Sequence, residues 1–471
     1  MHNLTKIDRE KLLMLWTSQE LRSALNLKPI SSRGRDICGV SIDSRTLSDG
    51  DLFVALKGDG GKRFPNSNSK ARDGHQFIAA AEANGAAAIV CSKETECKLP
   101  THLVEDTLDA LWQLAEFARA RMKGNVLAIT GSAGKTTART WLEQLLSSQG
   151  NTHASVASYN NHWGVPLSIS RMPSDTSYGV FEVGMNHRGE IAPLSRLINP
   201  QVALVLNVLP AHIGQLGSLD AIRIEKLSIS KGLVEGGTLV LPFDLDPTTV
   251  SKRIKILTFG LNEKADISGK IIKRDDPWIV QIKIDKKLFE FSLPFGGEHR
   301  VATALAAVAA VHAMGGDVGA ALTEINTLKI PVGRGNLVTA AGRRIIDDSY
   351  NANVVSMQYA IDNLLQASTG KKIALLGEMR ELGAHGVAMH REVLTSCTNL
   401  DAILTVGKGF RDSRMILGNK LVQHADSIHD IDLERLVDLT RPGDTILVKA
   451  SNTIFWRHQI VDSLITAIKA N

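Results

Sequence analysis

Val126-Leu127-Ala128-Ile129-Thr130-Gly131-Ser132-Ala133-Gly134-Lys135-Thr136-Thr137 is the stretch that decides the fold. A short apolar run enters a glycine loop, and the loop opens a helix expected over Thr136–Gln149 and stopped by Gly150. Glycines let backbone N–H groups turn inward around phosphate oxygens, and a helix N-terminus adds positive potential. In that context Lys135 would reach the outer phosphates, and the Thr136 hydroxyl would sit on Mg²⁺. The bland alternative is a strand–helix turn with a chance Gly-Lys-Thr.

Upstream, Leu108, Leu111, Trp112, Ala115 and Met122 recur at helical spacing, with Asp106 or Thr107 to cap the start and Gly124 to end it. The first hundred residues mix short strands with glycine and aspartate turns, as in a small α/β unit. Downstream, strands expected at Tyr178–Val183 and Val202–Val208 alternate with helical stretches, the pattern of a mostly parallel, covered sheet. A second change of character falls near Ile330–Gly335. Beyond it, strand-like runs at Arg344–Asp348, Lys372–Leu376, Ala402–Val406 and Thr445–Lys449 alternate with helices, one of them striped by Met357, Ala360, Ile361, Leu364 and Leu365. The expected class is α/β in three domains. A small N-terminal α/β unit spans 1–105, a central P-loop-type, mostly parallel sheet spans 106–330, and a Rossmann-like doubly wound unit spans 331–471.

Length and composition agree. At ~100–200 residues per domain, 471 residues make several domains, and 44% hydrophobic content rules out wholesale disorder. Fifty-four Lys and Arg against 49 Asp and Glu leave a net charge of +5, scattered with no run fit for a nucleic-acid arm. Asp8, Arg9 and Glu10 fall where a signal peptide needs an apolar core, and Val301–Leu322 is too weak to span a bilayer. Cys38, Cys91, Cys97 and Cys397 lack disulfide density or metal spacing, which points to idle thiols in a reducing cytoplasm.

Several polar residues fall where strands end. Glu182 closes a strand and is placed for a nucleotide's Mg²⁺, though a solvated strand end is the plainer reading. Asn207 ends another strand, and His212 follows in the loop. Lys226 lies in the helical stretch Leu219–Leu233 and reads as a surface lysine. Tyr159–Pro166 and Asp347–Asn353 are amide-rich turns, in which Asn353 makes a good N-cap. Arg334, between two glycines at the second boundary, could reach a phosphate across a cleft.

Taken in order, the blocks Asp43-Ser44-Arg45, ITGSAGKTT, NNHWGVPLS, FEVGMNHRGEI, the Asn207…His212 loop, IDDSYNAN, LLGEMRELG with His390, and LVKAS resemble one family. It is the Mur ligases, ATP-dependent amide-forming enzymes of peptidoglycan precursor synthesis, and IDDSYNAN with GMNHRGEI is similar to the branch that adds D-alanyl-D-alanine. The resemblance implies an ATP-dependent ligase joining D-alanyl-D-alanine to UDP-N-acetylmuramoyl-tripeptide through an acyl phosphate. It implies that Gly131, Ser132, Ala133, Gly134, Lys135, Thr136 and Thr137 bind ATP, with Asn161 near the phosphates and Arg334 and Asp348 meeting the nucleotide on domain closure. Thr136 and Glu182 would hold one Mg²⁺ and His212 a second, with Lys226 at the position of a carbamylated lysine. Catalysis would rest on Lys135, Lys226 and His212. Ser44 and Arg45 would lie near the uridine nucleotide, and Asn351 and Asn353 near the dipeptide. Thr303 takes the place of an adenine-facing Asn, Arg300 that of another Asn, Ser228 that of an acidic residue, and Ala450 that of a glycine. Two rival readings remain: a non-catalytic relative binding a nucleotide-linked precursor, and a same-fold ligase for another acid such as folate. A cytoplasmic monomer acting on small molecules, without nucleic acid or membrane span, is expected.

Overall fold

A computed structural model describes residues 14–28, 35–61, 63–64, 72–211, 213–275, 277–367 and 369–470. Its strands form three sheets. The first is four-stranded and wholly parallel, running in chain order from Gly39–Ser41 to Thr101–Leu103. The second has nine strands and the third six.

In the nine-stranded sheet, Asn125–Thr130 lies between Val202–Val205 and Tyr178–Glu182, parallel to both. A central parallel strand is covered on both faces, which is why Val126 through Thr130 are all fully buried. The helix beyond the glycine loop runs Lys135–Ser147, a residue earlier than its sequence pattern suggests, and buries Ala138, Trp141, Leu142, Leu145 and Leu146. The far edge was not read from the sequence. Ile267–Lys273, Trp278–Ile284 and Lys287–Leu293 pair antiparallel, joined by a tight turn in which Asp285 and Lys286 both take positive φ.

The six-stranded sheet pairs Arg343–Asp348 in parallel with Thr445–Lys449, which sets Asp348 beside Lys449. Only its first pair, Asn336–Ala340 with Arg343–Asp348, is antiparallel. The expected caps are made: Asp106 accepts from the N–H groups of Leu108 and Asp109, and Asn353 forms a capping box with Ser356. The helix expected over Leu219–Leu233 ends at Leu227 and continues as a 3₁₀ turn, Ser228–Gly232.

The units are stitched by buried donors. The Trp16 indole of the first unit donates to Ser170 O of the second. Between second and third units, Arg300 donates to Gly335 O, and the His299 and Tyr359 rings stack with centroids 5.0 Å apart.

Candidate active site

The glycine loop forms the floor of an open cleft of about 1250 Å³, counting its mouth, whose opposite wall belongs to the third unit. Two glycines are demanded by geometry. A Cβ on Gly131 would sit 2.9 Å from Leu206 Cβ, and Gly134 takes φ +79° to turn into the helix. Asn207, at the end of the neighbouring strand segment, holds the loop open: its Oδ1 accepts from the N–H groups of Ser132 and Ala133, both at 3.0 Å, and its Nδ2 donates to Ala133 O. The first turn of the following helix is left with its N–H groups and dipole facing the cleft.

Lys135 Nζ donates to Gly131 O at 2.9 Å. Burial lowers its pKa and nearby Arg334 adds to this, while Glu182 opposes both. An anion in the loop would restore the charge. Glu182 closes its strand fully buried, accepting at one oxygen from Thr136 Oγ1 (3.0 Å) and at the other from Asn160 Nδ2 (2.7 Å). A hydroxyl and a single carboxylate beside a phosphate loop suit a hard cation that takes its remaining ligands from phosphate oxygens and water, as Mg²⁺ does. Among the described residues no group of three or more His, Cys, Asp or Glu is arranged to hold a metal unaided. The third unit reaches in through Arg334, which donates to Thr136 Oγ1 at 3.2 Å and lies 4.0 Å over the Tyr350 ring.

Lys226 is not a surface residue. It is 2% exposed and its amine has no hydrogen bond among the described residues. Burial, reinforced by Lys135, holds its pKa well below the ordinary lysine value, although Glu225 opposes this. The neighbouring Glu225 carboxylate accepts from the N–H groups of Gly189 and Ile191. Ser228 Oγ is buried without a hydrogen-bond partner among the described residues. His212 lies outside the described residues.

Across the cleft, Lys449 Nζ donates to Asp348 Oδ2 at 2.6 Å and to Asn351 O at 3.1 Å. Asn353 lines the cleft while its side chain caps the helix behind it.

Three family descriptions match the chain: the Mur ligase family catalytic domain over 36–120, the Mur ligase middle domain over 129–311, and the Mur ligase glutamate ligase domain over 333–452. The UDP-N-acetylmuramoyl-tripeptide–D-alanyl-D-alanine ligase of Escherichia coli (strain K12) is 32% identical over 453 residues, covering 93% of this chain and 96% of that protein. The chain belongs to the Mur ligase family. The ligase of the same description from Bacillus subtilis (strain 168) is 34% identical over 88% of this Mur ligase and 90% of its own length. Among solved structures, MurF from Acinetobacter baumannii superposes with a TM-score of 0.82 at 29% identity, covering 97% and 99% of the two chains. MurF from Thermotoga maritima in complex with ADP gives 0.77 at 29%, covering 92% and 98%.

The cleft brings together most residues singled out from the sequence of this Mur ligase: Ser132 to Thr137, Glu182, Thr303, Arg334, Asp348, Asn351 and Asn353. Gly131 and the buried Lys226 are not among the lining residues, and two further groups stand elsewhere. Asn161 turns away, its Oδ1 accepting from Gly164 N, and it is Asn160 that lines the cleft. Ser44 and Arg45 lie on the first unit outside the cleft's lining, with Arg45 paired to Asp43. Asn207 was singled out from the sequence only as ending a strand beside the loop, and Asn160 and Lys449 were not singled out individually; each sits at or near a strand end or turn bordering the cleft.

Proposed function

We propose that this Mur ligase joins D-alanyl-D-alanine to UDP-N-acetylmuramoyl-tripeptide at the expense of ATP, as a cytoplasmic monomer with units at 1–105, 106–330 and 331–471. The carrying observation is that a phosphate loop on the second unit and a polar wall on the third face each other across one cleft, joined by Arg334 on Thr136. The whole cleft comes from one chain. No helix among the described residues is long and apolar enough to cross a membrane.

A carboxylate resists attack by an amine because oxide would have to leave. The tripeptide carboxylate therefore attacks the terminal phosphate of ATP, giving an acyl phosphate and ADP. Loop amides, the helix dipole and Lys135 stabilise the charge on the transferring group; positioning and electrostatics supply most of such catalysis. Arg334 adds a positive charge only when the third unit is docked, so activation waits for closure and water is kept from the acyl phosphate. The dipeptide amine, arriving along Asn351 and Asn353, then attacks the acyl carbon, and phosphate leaves from the tetrahedral adduct. Thr136 and Glu182 would hold one Mg²⁺, and the family resemblance would give a second to His212 and a modified Lys226; such ions would supply positive charge to the phosphate oxygens.

Lys226 suits carbamylation because burial lowers its pKa and so favours the neutral amine, the form that adds CO₂, releasing a proton and leaving an oxygen-donor anion. Lys226→Ala should cripple turnover and be partly rescued by acetate or formate; no loss would return Lys226 to a packing role. The deciding assay is phosphate release with ATP, Mg²⁺ and UDP-N-acetylmuramoyl-tripeptide, with and without D-alanyl-D-alanine. Dipeptide-dependent release with a pentapeptide product is expected, and precursor binding without release would overturn the proposal.

A further inference from the structure

Beyond the phosphate loop, the cleft is lined by two helices of different units, Glu298–Ala313 and Val354–Leu365. Thr303 Oγ1 lies 3.8 Å from where a Gly134 Cβ would stand, so the first of these helices abuts the loop. One turn back along it, His299 and Tyr359 stack at an interplanar angle of 8°. Burial, with Arg300 and Lys449 adding to it, holds His299 down to about 3, so its ring is neutral at pH 7. On the second helix, Ser356, Tyr359, Ala360 and Asn363 recur at i, i+3, i+4 and i+7 and all line the cleft.

Most hydrogen-bonding groups in this slot are spent. Thr303 Oγ1 donates to His299 O of its own helix. Arg300 donates to Gly296 O and Gly335 O. Ser356 is engaged with the Asn353 backbone at both its N–H and C=O. The half-buried Asn363 carboxamide has no hydrogen bond among the described residues, and it borders both this cleft and the adjoining one beside Arg300.

We propose that Asn363 is a specificity-determining residue that reads the edge of the nucleotide base. The inference rests on the ATP-dependent reading above and names which residue selects the base. With phosphates fixed at the glycine loop, the base would extend toward the slot that the stacked His299–Tyr359 pair bridges from one helix to the other. A carboxamide offers a donor and an acceptor in one plane, matching the exocyclic amine and adjacent ring nitrogen of adenine. Hypoxanthine reverses both groups at that edge, presenting a carbonyl acceptor and a ring N–H donor.

The test is calorimetric binding of ADP and IDP to the full chain as wild type, Asn363→Ala and Asn363→Asp, alongside ligase turnover. Loss of a two-point base contact should weaken ADP in Asn363→Ala by about 5- to 100-fold, raising the KM for ATP with kcat at saturation preserved. Asn363→Asp accepts but cannot donate, and each base edge offers it one donor and one acceptor, so its ADP-to-IDP preference should collapse. The ratio is the readout because a new carboxylate repels both nucleotides alike. Unchanged ADP affinity in Asn363→Ala, or an unchanged ratio in Asn363→Asp, overturns the assignment. Dipeptide-dependent turnover with a flat ratio would leave the ligase reading standing and remove this one. An altered ratio in a chain without turnover would do the reverse.

Discussion

Replacing Lys449 by Met should destabilise the third unit severely, because it strands a carboxylate. Lys449 is 1% exposed and stands beside Asp348 in the parallel register of two central strands, its ammonium 2.6 Å from Oδ2. Asp348 feels burial first, which raises its pKa, and the Lys449 charge and hydrogen bond are the largest influences opposing that. Removing one partner of a fully buried pair costs ~3–5 kcal/mol, since the remaining charge keeps its desolvation penalty; the Asp348 side chain, 18% exposed at the cleft, keeps only part of it. Arg334 and Arg300 also lower the Asp348 pKa and remain in the variant, so the low end of that range applies. A unit of about 140 residues unfolds with an entropy near 0.3 kcal/mol/K. A loss of about 3 kcal/mol then lowers its melting temperature by roughly 10 °C. Differential scanning calorimetry of Lys449→Met, Asp348→Asn and the double variant measures this. The double variant should melt above Lys449→Met, because the stranded charge is gone. A midpoint within about 2 °C of wild type for Lys449→Met, or additive losses in the double variant, would refute the reasoning.

That pair also shows where the sequence becomes opaque. Thr445–Lys449 reads as a strand from its apolar run, and Asp348 ends another, but nothing local says that they pair in register across a hundred residues of intervening chain. The loop from Gly131 to Thr137 was legible because its glycines, lysine and threonine answer to short-range geometry, and the caps at Asp106 and Asn353 for the same reason. The resemblance named Asn161 whereas Asn160 lines the cleft, because adjacent turn residues point in different directions and the strand carrying Glu182 fixes which amide faces inward. Lys226 looked like a surface lysine because its helix has polar positions on either side; its burial comes from tertiary packing. The antiparallel edge was legible in principle: Trp278, Val280, Ile282 and Ile284 are buried while Ile279, Gln281 and Lys283 are less so, a period-two signal closed by the Asp285-Lys286 turn.

Three further outcomes are expected. Lys135→Ala should lower kcat by about 10²–10³-fold with circular dichroism unchanged, as for loss of one preorganised group facing developing charge; a near-normal rate would remove the phosphate-loop assignment. Under native thiol labelling, exposed Cys38 should react first, whereas Cys397, pushed up to about 12 by burial, should stay silent until unfolding; early modification of Cys397, read by peptide mass, would contradict its placement. The last concerns acid stability. His102 is buried, and burial, with Arg22 adding to it, holds its pKa down to about 4 from the ordinary histidine value of about 6.5. As pH falls below about 6.5 the unfolded chain takes up a proton that the folded chain refuses until about 4, so folding stability declines across that window, by roughly 3 kcal/mol at its full extent. His102→Gln removes the titration, so urea midpoints of the first unit should lose most of their slope between pH 6.5 and pH 4. If the variant keeps the wild-type slope, the acid sensitivity belongs to another group and His102 is protonated in the folded state.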